Sequence, residues 1–437
     1  MGKVFTNDNL TGLLRSRLFI NRVDKVLKKK SQNNEKCAFF YMDIDNFHII
    51  NDIYGYVFGD KLIKLITDRL IRHFDSNNSI VSRVGSDEFL IFHPTVESRE
   101  MVYDIAGKIL DEFNSPIICE NNKLYVGLSI GVSIYPDHGD EVRKLVRNAN
   151  IAMHSVKDTG KNSFAIYDRH MSKEIINATM IERDLKDAVK DFQFELHYHP
   201  QIDLSFNEVV CLEVLTRWNH PKKGLIYPNN FIPVAERTEL IVPIGYYILY
   251  SACKQLKNWQ TDDFLNCKLS INVSPVQLQD PNFIDKVLDI LKKTDVDPSY
   301  LEFEITENSL IKYLEDTKAI LSDLRNMGIK ISLDDFGTGY SSLSYLKHLP
   351  VDIIKIDRAF VKNIDSEVDR AITDAIINLG HEMGLCITAE GVETVEQLEV
   401  LKAQGCDRVQ GFLFTKPIEQ ILVEQKLKKV AQQIKVL

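Results

Sequence analysis

Residues 329–336 read IKISLDDF, a short apolar run that ends on two adjacent acids. The run has the length and composition of a strand. Seven more of the same kind flank it: FELHYHPQID (194–203), VVCLEVLTRW (209–218), KLSINVS (268–274), LEFEIT (301–306), DIIKID (352–357), LCITAEGV (385–392) and RVQGFLF (408–414). Helical patterns separate most of them, and several are rich in Ile, Leu and Val on both faces. Eight such runs predict an α/β fold, a TIM-like (β/α)8 barrel. The first two runs are separated only by the polar turn SFNE. A parallel pair needs a longer crossover, so one barrel strand is expected to run antiparallel.

Upstream of residue 169 the rhythm changes. CAFFYMDID (37–45) and LYVGLSIGVSIYP (124–136) read as strands, and SIVSRVGSDEFLIFHP (79–94) as two strands around a tight turn. Helical patterns lie at 59–74, 96–113 and 141–157, and SFAIY (163–167) reads as a last short strand. Mixed strands and helices predict an α+β sandwich. The chain therefore reads as two domains, 1–169 and 193–437, with a helical connection at 170–192.

The composition is that of an ordinary globular protein, 44% apolar and 26% charged. A formal charge of −9 argues against sequence-independent DNA binding, which needs a basic face. An anionic ligand then requires metal ions to bring positive charge. Seven cysteines, none at C-x-x-C spacing, read as reduced core thiols. No run reaches the length of a membrane helix. A soluble, cytoplasmic protein is expected, alone or as the cytoplasmic part of a longer one.

In a barrel, functional groups sit where strands end. The strand ends here carry Glu213, Asn272, Glu304, Asp334 with Asp335, Lys355, Glu390 and Gln410. A charged side chain embedded in an apolar strand is costly unless it is paired or on a metal. Four acids, a fifth adjacent to one of them and an amide oxygen form an all-oxygen set that suits Mg2+ or Mn2+; zinc would want His or Cys. Two such ions suit phosphodiester hydrolysis. Lys355 would hold the attacking water or stabilise charge on the phosphate. The pair His197 and His199 is read as structural rather than as a metal pair.

The blocks Glu213-Val-Leu-Thr-Arg-Trp, Ile271-Asn-Val-Ser-Pro, Glu302-Phe-Glu-Ile-Thr-Glu, Asp334-Asp-Phe-Gly-Thr-Gly-Tyr-Ser-Ser-Leu, Lys355-Ile-Asp, Ala389-Glu-Gly-Val-Glu and Gln410-Gly occur in that order. Together they resemble the EAL family, bacterial phosphodiesterases of the second messenger cyclic di-GMP, over about residues 180–420. The resemblance implies that Glu213, Asn272, Glu304 and Asp334 bind one ion, and that Asp335 and Glu390 serve a second. It also implies that Gln410 hydrogen-bonds nearby, and that Leu215 and Arg217 meet substrate base and phosphate. Glu307 would brace the Asp-Asp-Phe-Gly loop that couples dimerisation through the barrel to activity. Two departures stand out. Val214 replaces the alanine of the name tripeptide, which should be tolerated. His199 replaces a usual glutamine, which would affect guanine contact more than chemistry.

The first half resembles the GGDEF family, the diguanylate cyclases, through Asp8-Asn-Leu-Thr-Gly-Leu, Asp43-Ile-Asp-Asn-Phe, Asn51-Asp, Gly59-Asp60, Arg83-Val-Gly-Ser-Asp-Glu-Phe and Lys157-Asp-Thr-Gly-Lys161-Asn. The resemblance implies Mg2+ at Asp43 and Glu88, guanine at Asn51 and Asp60, and phosphates at Lys157 and Lys161. The signature is degenerate. Ser86 stands for the second glycine, His48 for a lysine, Tyr56 for a histidine and Lys161 for an arginine. The R-x-x-D inhibitory site is replaced by Ser-Asn-Asn-Ser at 76–79. The expected protein is a cyclic di-GMP phosphodiesterase that releases linear pGpG, with the first domain as a GTP-responsive regulator. A non-catalytic cyclic di-GMP receptor and a bifunctional cyclase/phosphodiesterase are the alternatives.

Overall fold

The computed structural model describes residues 7–33, 35–74, 79–261, 267–307, 314–337, 346 and 349–436. The chain divides into two compact units, residues 1–177 and 178–437.

The first unit is built on a six-stranded mixed sheet. Its strands are β1 (Leu14–Arg15), β2 (Cys37–Ile44), β3 (Ile80–Arg83), β4 (Glu88–His93), β7 (Leu128–Tyr135) and β8 (Ser163–Ile166), in the spatial order β1-β3-β4-β2-β7-β8. A small hairpin, β5 (Ile117–Cys119) and β6 (Asn122–Leu124), stands apart from it. The run expected as one long strand from 124 is thus interrupted, and the sheet strand begins only at Leu128.

Strand β2 shows why the unit is a sandwich. All eight of its residues are buried, and successive side chains enter different cores. Cys37, Phe39 and Tyr41 pack with Phe19 and Val23 of α1 (Ser16–Asn33) and Leu145 of α5 (Val142–Thr159). Ala38, Phe40, Met42 and Ile44 pack with Leu62 and Ile66 of α3 (Tyr56–Phe74) and Ile109 of α4 (Arg99–Phe113). Helix α1 and the short α2 (Phe47–Tyr54) were not marked by the sequence pattern. Helix α6 (Arg169–Lys190) covers the stretch read as the connection.

The second unit contains a closed barrel. Its strands are β9 (Phe194–Asp203), β10 (Glu208–His220), β12 (Lys268–Asn272), β13 (Leu301–Thr306), β14 (Lys330–Phe336), β15 (Ile353–Ile356), β16 (Cys386–Ala389) and β17 (Arg408–Gln410). β9 closes the ring by pairing antiparallel with both β10 and β17, while the other neighbours run parallel. Short β11 (Gly224–Ile226) and β18 (Ile418–Glu419) extend the sheet beyond β10 and β9.

The antiparallel strand is the expected one, and its cause is local. Asp203 Oδ1 accepts from the amides of Ser205 and Phe206 at 2.8 and 3.0 Å, and Asn207 is left-handed at φ 54°. This tight Asx turn leaves no length for a crossover helix. β17 ends at Gln410, short of the expected run, because the next residue meets a neighbouring loop. A Cβ on Gly411 would lie 2.1 Å from the Val392 carbonyl oxygen.

Outward-facing side chains such as Leu212, Val214, Leu269, Ile271 and Phe303 join Leu249, Ala252 and Leu256 of the helix Ile241–Thr261 in one core. Val214 therefore points away from the barrel axis, which fits the expected tolerance of valine there. Residues on the alternate positions of the same strands line the inside, and these are the polar ones.

Candidate active site

The rim residues come from seven strands or their ends. Glu213 lies within β10, Asn272 ends β12, and Glu304 lies in β13. Asp334 and Asp335 are near the end of β14, Lys355 is in β15, Glu390 follows β16 directly and Gln410 ends β17. Parallel register sets them side by side: Asn272 pairs with Glu304, and Thr306 with Asp334.

Lys355 is at the centre. It is 1% exposed, and its Nζ lies 2.8 Å from Glu304 Oε2, 3.1 Å from Asp334 Oδ1 and 2.5 Å from Glu390 Oε1. Burial opposes the charge on Lys355, but Glu304, Glu390, Glu213 and Asp334 outweigh it and raise its pKa well above the ordinary lysine value. One ammonium does not neutralise this many carboxyls. Burial and then the neighbouring acids push Glu390 up to about 8 and Asp335 up to about 6. Burial also drives Glu304 well above its usual range, against the pull of Lys355.

Glu213 is held differently. Asn272 Nδ2 donates to its Oε1 at 3.1 Å and Gln410 Nε2 to its Oε2 at 2.6 Å. Burial opposes ionisation of Glu213, yet Lys355, His199 and these two amides bring its pKa below the usual value. Ser270 Oγ donates to Glu304 Oε1 at 2.6 Å. Ser270 was not among the expected site residues; a lone serine in a strand gives no sequence signal of its own. Asp357, the last residue of the Lys355-Ile-Asp block, hydrogen-bonds the Asp335 carboxyl. Asp335 itself sits at φ 55°, an unusual conformation for a non-glycine residue.

Arg217 and Leu215 follow Glu213 at two-residue steps and share its face. Arg217 is buried, donates from Nη1 to the Thr216 carbonyl at 2.9 Å, and stacks 5.1 Å over the ring of Tyr227. Leu215 is half-buried. Glu307 Oε2 accepts from the Gly337 amide at 3.1 Å, so this acid does reach the loop after Asp335. The remainder of that loop from Thr338 to Tyr345 lies outside the described residues. His197 meets Glu195 at 3.1 Å. His199 is not merely structural packing: it is the cross-strand partner of Glu213 and touches Gln410.

Among the described residues no group of three or more His, Cys, Asp or Glu is gathered around one point as metal ligands. The carboxyls converge on the Lys355 ammonium instead. The donor set nonetheless fits a hard divalent cation. It is all oxygen, and the acids outnumber the one ammonium they surround.

In the first unit the site is looser. Asp43 and Glu88 face each other across β2 and β4. Asp43 Oδ2 pairs with Lys157 Nζ at 2.6 Å, and Lys161 Nζ donates to Asn46 Oδ1 at 2.7 Å. Asn51 is half-buried, whereas Asp60, His48 and Tyr56 are exposed. Ser86 is exposed, and neither it nor Gly85 adopts a left-handed φ. Serine at 86 therefore imposes no backbone strain on this turn. Residues 76–78, where the inhibitory motif is missing, lie outside the described residues.

A family profile described as EAL domain matches residues 182–417, and one described as diguanylate cyclase, GGDEF domain, matches residues 5–163. The chain belongs to the tandem GGDEF–EAL family. Two curated relatives come from Pseudomonas aeruginosa. The bifunctional diguanylate cyclase/cyclic di-GMP phosphodiesterase MucR is 36% identical over 95% of this chain and 61% of its own length. The cyclic di-GMP phosphodiesterase NbdA is 33% identical over 96% and 54%. The cyclic di-GMP phosphodiesterase PdeR of Escherichia coli is 31% identical over 97% and 63%. The chain thus spans between about half and two thirds of these relatives. Among solved structures, the MucR phosphodiesterase in complex with cyclic di-GMP is 40% identical, with a TM-score of 0.53 over 56% of this chain and 99% of that one. The S helix–GGDEF–EAL structure of LapD from Vibrio cholerae is 20% identical with a TM-score of 0.59 over 93% and 96%, a likeness of fold.

Proposed function

We propose that the barrel is a cyclic di-GMP phosphodiesterase that releases linear pGpG. The observation that carries this reading is the convergence of Glu304, Asp334 and Glu390 from three strands on one buried lysine, with Glu213 and its two amide donors beside them. Glu213, Asn272, Glu304, Asp334, Asp335 and Glu390 would hold two Mg2+ or Mn2+ ions. Such ions, when bound, stabilise charge on phosphodiester oxygens and lower the pKa of water.

The chain's own groups have separable parts. Lys355 would act as a cation and donor that orients the attacking water and meets charge on the phosphate. Arg217 offers its guanidinium fork to a phosphate oxygen, its plane steadied by Tyr227. Leu215 gives a base an apolar surface. Glu307, through Gly337, steadies the backbone beside Asp335.

The test is direct. Cyclic di-GMP is incubated with the protein plus Mg2+, Mn2+ or a chelator, and the nucleotides are resolved by chromatography. Glu213→Ala should lower turnover roughly 100–1,000-fold. Equal rates in chelated and metal-loaded protein would overturn the reading. A receptor that binds without cleaving is the second reading, favoured by the way Glu304, Asp334 and Glu390 turn onto Lys355 rather than around a shared metal point. Binding with no product in Mn2+ selects it.

We further read residues 1–169 as a regulator, joined through 170–192 to the catalytic part at 193–437, all working in the bacterial cytoplasm. GTP would bind at Asn51 and Asp60 with Mg2+ at Asp43 and Glu88, without appreciable cyclisation. A homodimer through the barrel would act on the site through Glu307. Glu307→Ala should cut turnover about 10–100-fold while circular dichroism is unchanged. An unaltered rate in that variant removes the coupling. A phosphodiesterase rate that ignores GTP, in wild type and Asp60→Ala alike, removes the regulator.

A further inference from the structure

His199 takes part in a chain of hydrogen bonds whose polarity can be assigned. Its Nε2 lies 3.1 Å from the Thr415 carbonyl oxygen. A carbonyl only accepts, so Nε2 carries the hydrogen and, in the neutral ring, Nδ1 presents a lone pair. That lone pair is 2.7 Å from Gln410 Nε2, and the same Nε2 is 2.6 Å from Glu213 Oε2. The two amide hydrogens of Gln410 are therefore spent on His199 and Glu213.

The opposite orientation of the amide is excluded by the same partners. It would turn Oε1 toward both a lone pair and a carboxylate, with no hydrogen between them. Gln410 is 3% exposed, His199 8% and Glu213 8%, so water offers little relief. In the orientation found, Gln410 Oε1 is buried and has no partner. Glu213 meanwhile has an amide donor on each oxygen, Gln410 on one side and Asn272 on the other.

We propose that His199 is a positioning residue: its Nδ1 sets the amide orientation of Gln410, which fixes the Glu213 carboxylate and leaves Gln410 Oε1 as an acceptor for an O–H donor, a water or a ligand hydroxyl. The inference deepens the phosphodiesterase reading and rests on it for its kinetic arm. It also assigns the departure at position 199 a role other than guanine contact.

Two substitutions separate the positioning role from simple packing. Asparagine can place an acceptor near the position of Nδ1, whereas leucine fills space without one. His199→Leu should lower kcat for cyclic di-GMP about 10–100-fold, with KM changed less than about threefold. His199→Asn should recover most of that loss. Mn2+ affinity, measured by calorimetry without nucleotide, should weaken about 10-fold in His199→Leu and return in His199→Asn. Thermal melts confirm that both variants fold. If His199→Asn is as impaired as His199→Leu, or if His199→Leu matches wild type in both measurements, the proposal is overturned. If wild type binds Mn2+ but cleaves nothing, the phosphodiesterase reading has failed, and the Mn2+ series alone decides the role of His199.

Discussion

Both units set a lysine against acids at strand ends, but the surroundings differ. Lys355 is enclosed by the barrel, 1% exposed, and touches carboxyls from β13, β14 and the end of β16. Lys157 meets one acid, Asp43, and its own side chain is 29% exposed. The two sheets explain this. A closed ring of strands brings several ends to one point and excludes water between them. In the first unit Asp43 is itself buried on the inner strand β2, but the lysine that meets it stays part-exposed. The barrel acids therefore share one enclosed cation, while Asp43 is met by a lysine that is still in contact with water.

Lys355→Met tests this contrast most severely. Removing the ammonium that Glu304, Asp334 and Glu390 share should cost about 3–5 kcal/mol in chelator, with part of it restored by Mg2+. Trp218 and Trp259 are the chain's two tryptophans and both lie in the barrel unit, so urea unfolding followed by tryptophan fluorescence reads that unit alone. Asp43→Asn keeps a hydrogen-bonding side chain and leaves a part-exposed Lys157, so it should cost less, about 1–2 kcal/mol by calorimetry. Losses of equal size would end the distinction between enclosed and open sites.

The barrel was legible because its functional residues are of the wrong type for their surroundings. Glu304 and Lys355 stand in runs of Ile, Leu and Phe, where only a site or a pair explains a charge. What stayed hidden depends on closure of the ring. Glu302 was read only as part of a motif, yet it is 1% exposed and meets Arg408 Nη1 at 3.1 Å, 106 residues away. Nothing local in either strand announces that partner. Ser270 and His199 gain their roles in the same way, from strands that become neighbours only in three dimensions. In the first unit α1 was missed because its apolar face is narrow and 12 of its 18 residues are polar or charged. Its place is decided by burial of Phe19 and Val23 against β2.

A smaller effect separates enclosure from location. Asp184, on α6 within the second unit, is an ion-pair acid of the open kind in the same unit as Lys355. Its carboxyl lies 3.0 Å from His220 Nε2 and 3.0 Å from Lys223 Nζ. The hydrogen bond from His220, then those from Lys223 and Arg183, outweigh burial and hold its pKa well below the usual carboxylate value. A depressed folded-state value stabilises the fold fully above the unfolded value of about 3.9, and that contribution is lost as pH falls from there through the lower folded-state value. The urea midpoint of Asp184→Asn should therefore lie below wild type at pH 7, by less than for Lys355→Met. The gap should begin to narrow only below about pH 4 and should shrink further as pH falls toward the depressed folded-state value. A gap that does not change between pH 7 and the lowest pH at which the fold survives would mean that the asparagine disturbs packing rather than charge.

The smallest change concerns Ser86. Its side chain is exposed, its hydroxyl donates to Asp87 and its carbonyl oxygen accepts from Arg83. Because the backbone there is not left-handed, Ser86→Gly relieves no strain, and stability should move by no more than about 1 kcal/mol. Nor should the reversion restore a cyclase. Lys157 and Lys161, the residues expected to meet phosphates, are turned onto Asp43 and Asn46 within the unit itself. His48 and Tyr56 also remain changed, and a reacting phosphate misplaced by about 1 Å can lose on the order of 100-fold in rate. The measurement is formation of cyclic di-GMP from GTP in a Glu213→Ala background, where the barrel does not remove the product. In the barrel one substitution should abolish function; in the first unit one reversion should not create it. Product from Ser86→Gly alone would show that the open site is a single residue from activity, and that its looser geometry is no obstacle to catalysis.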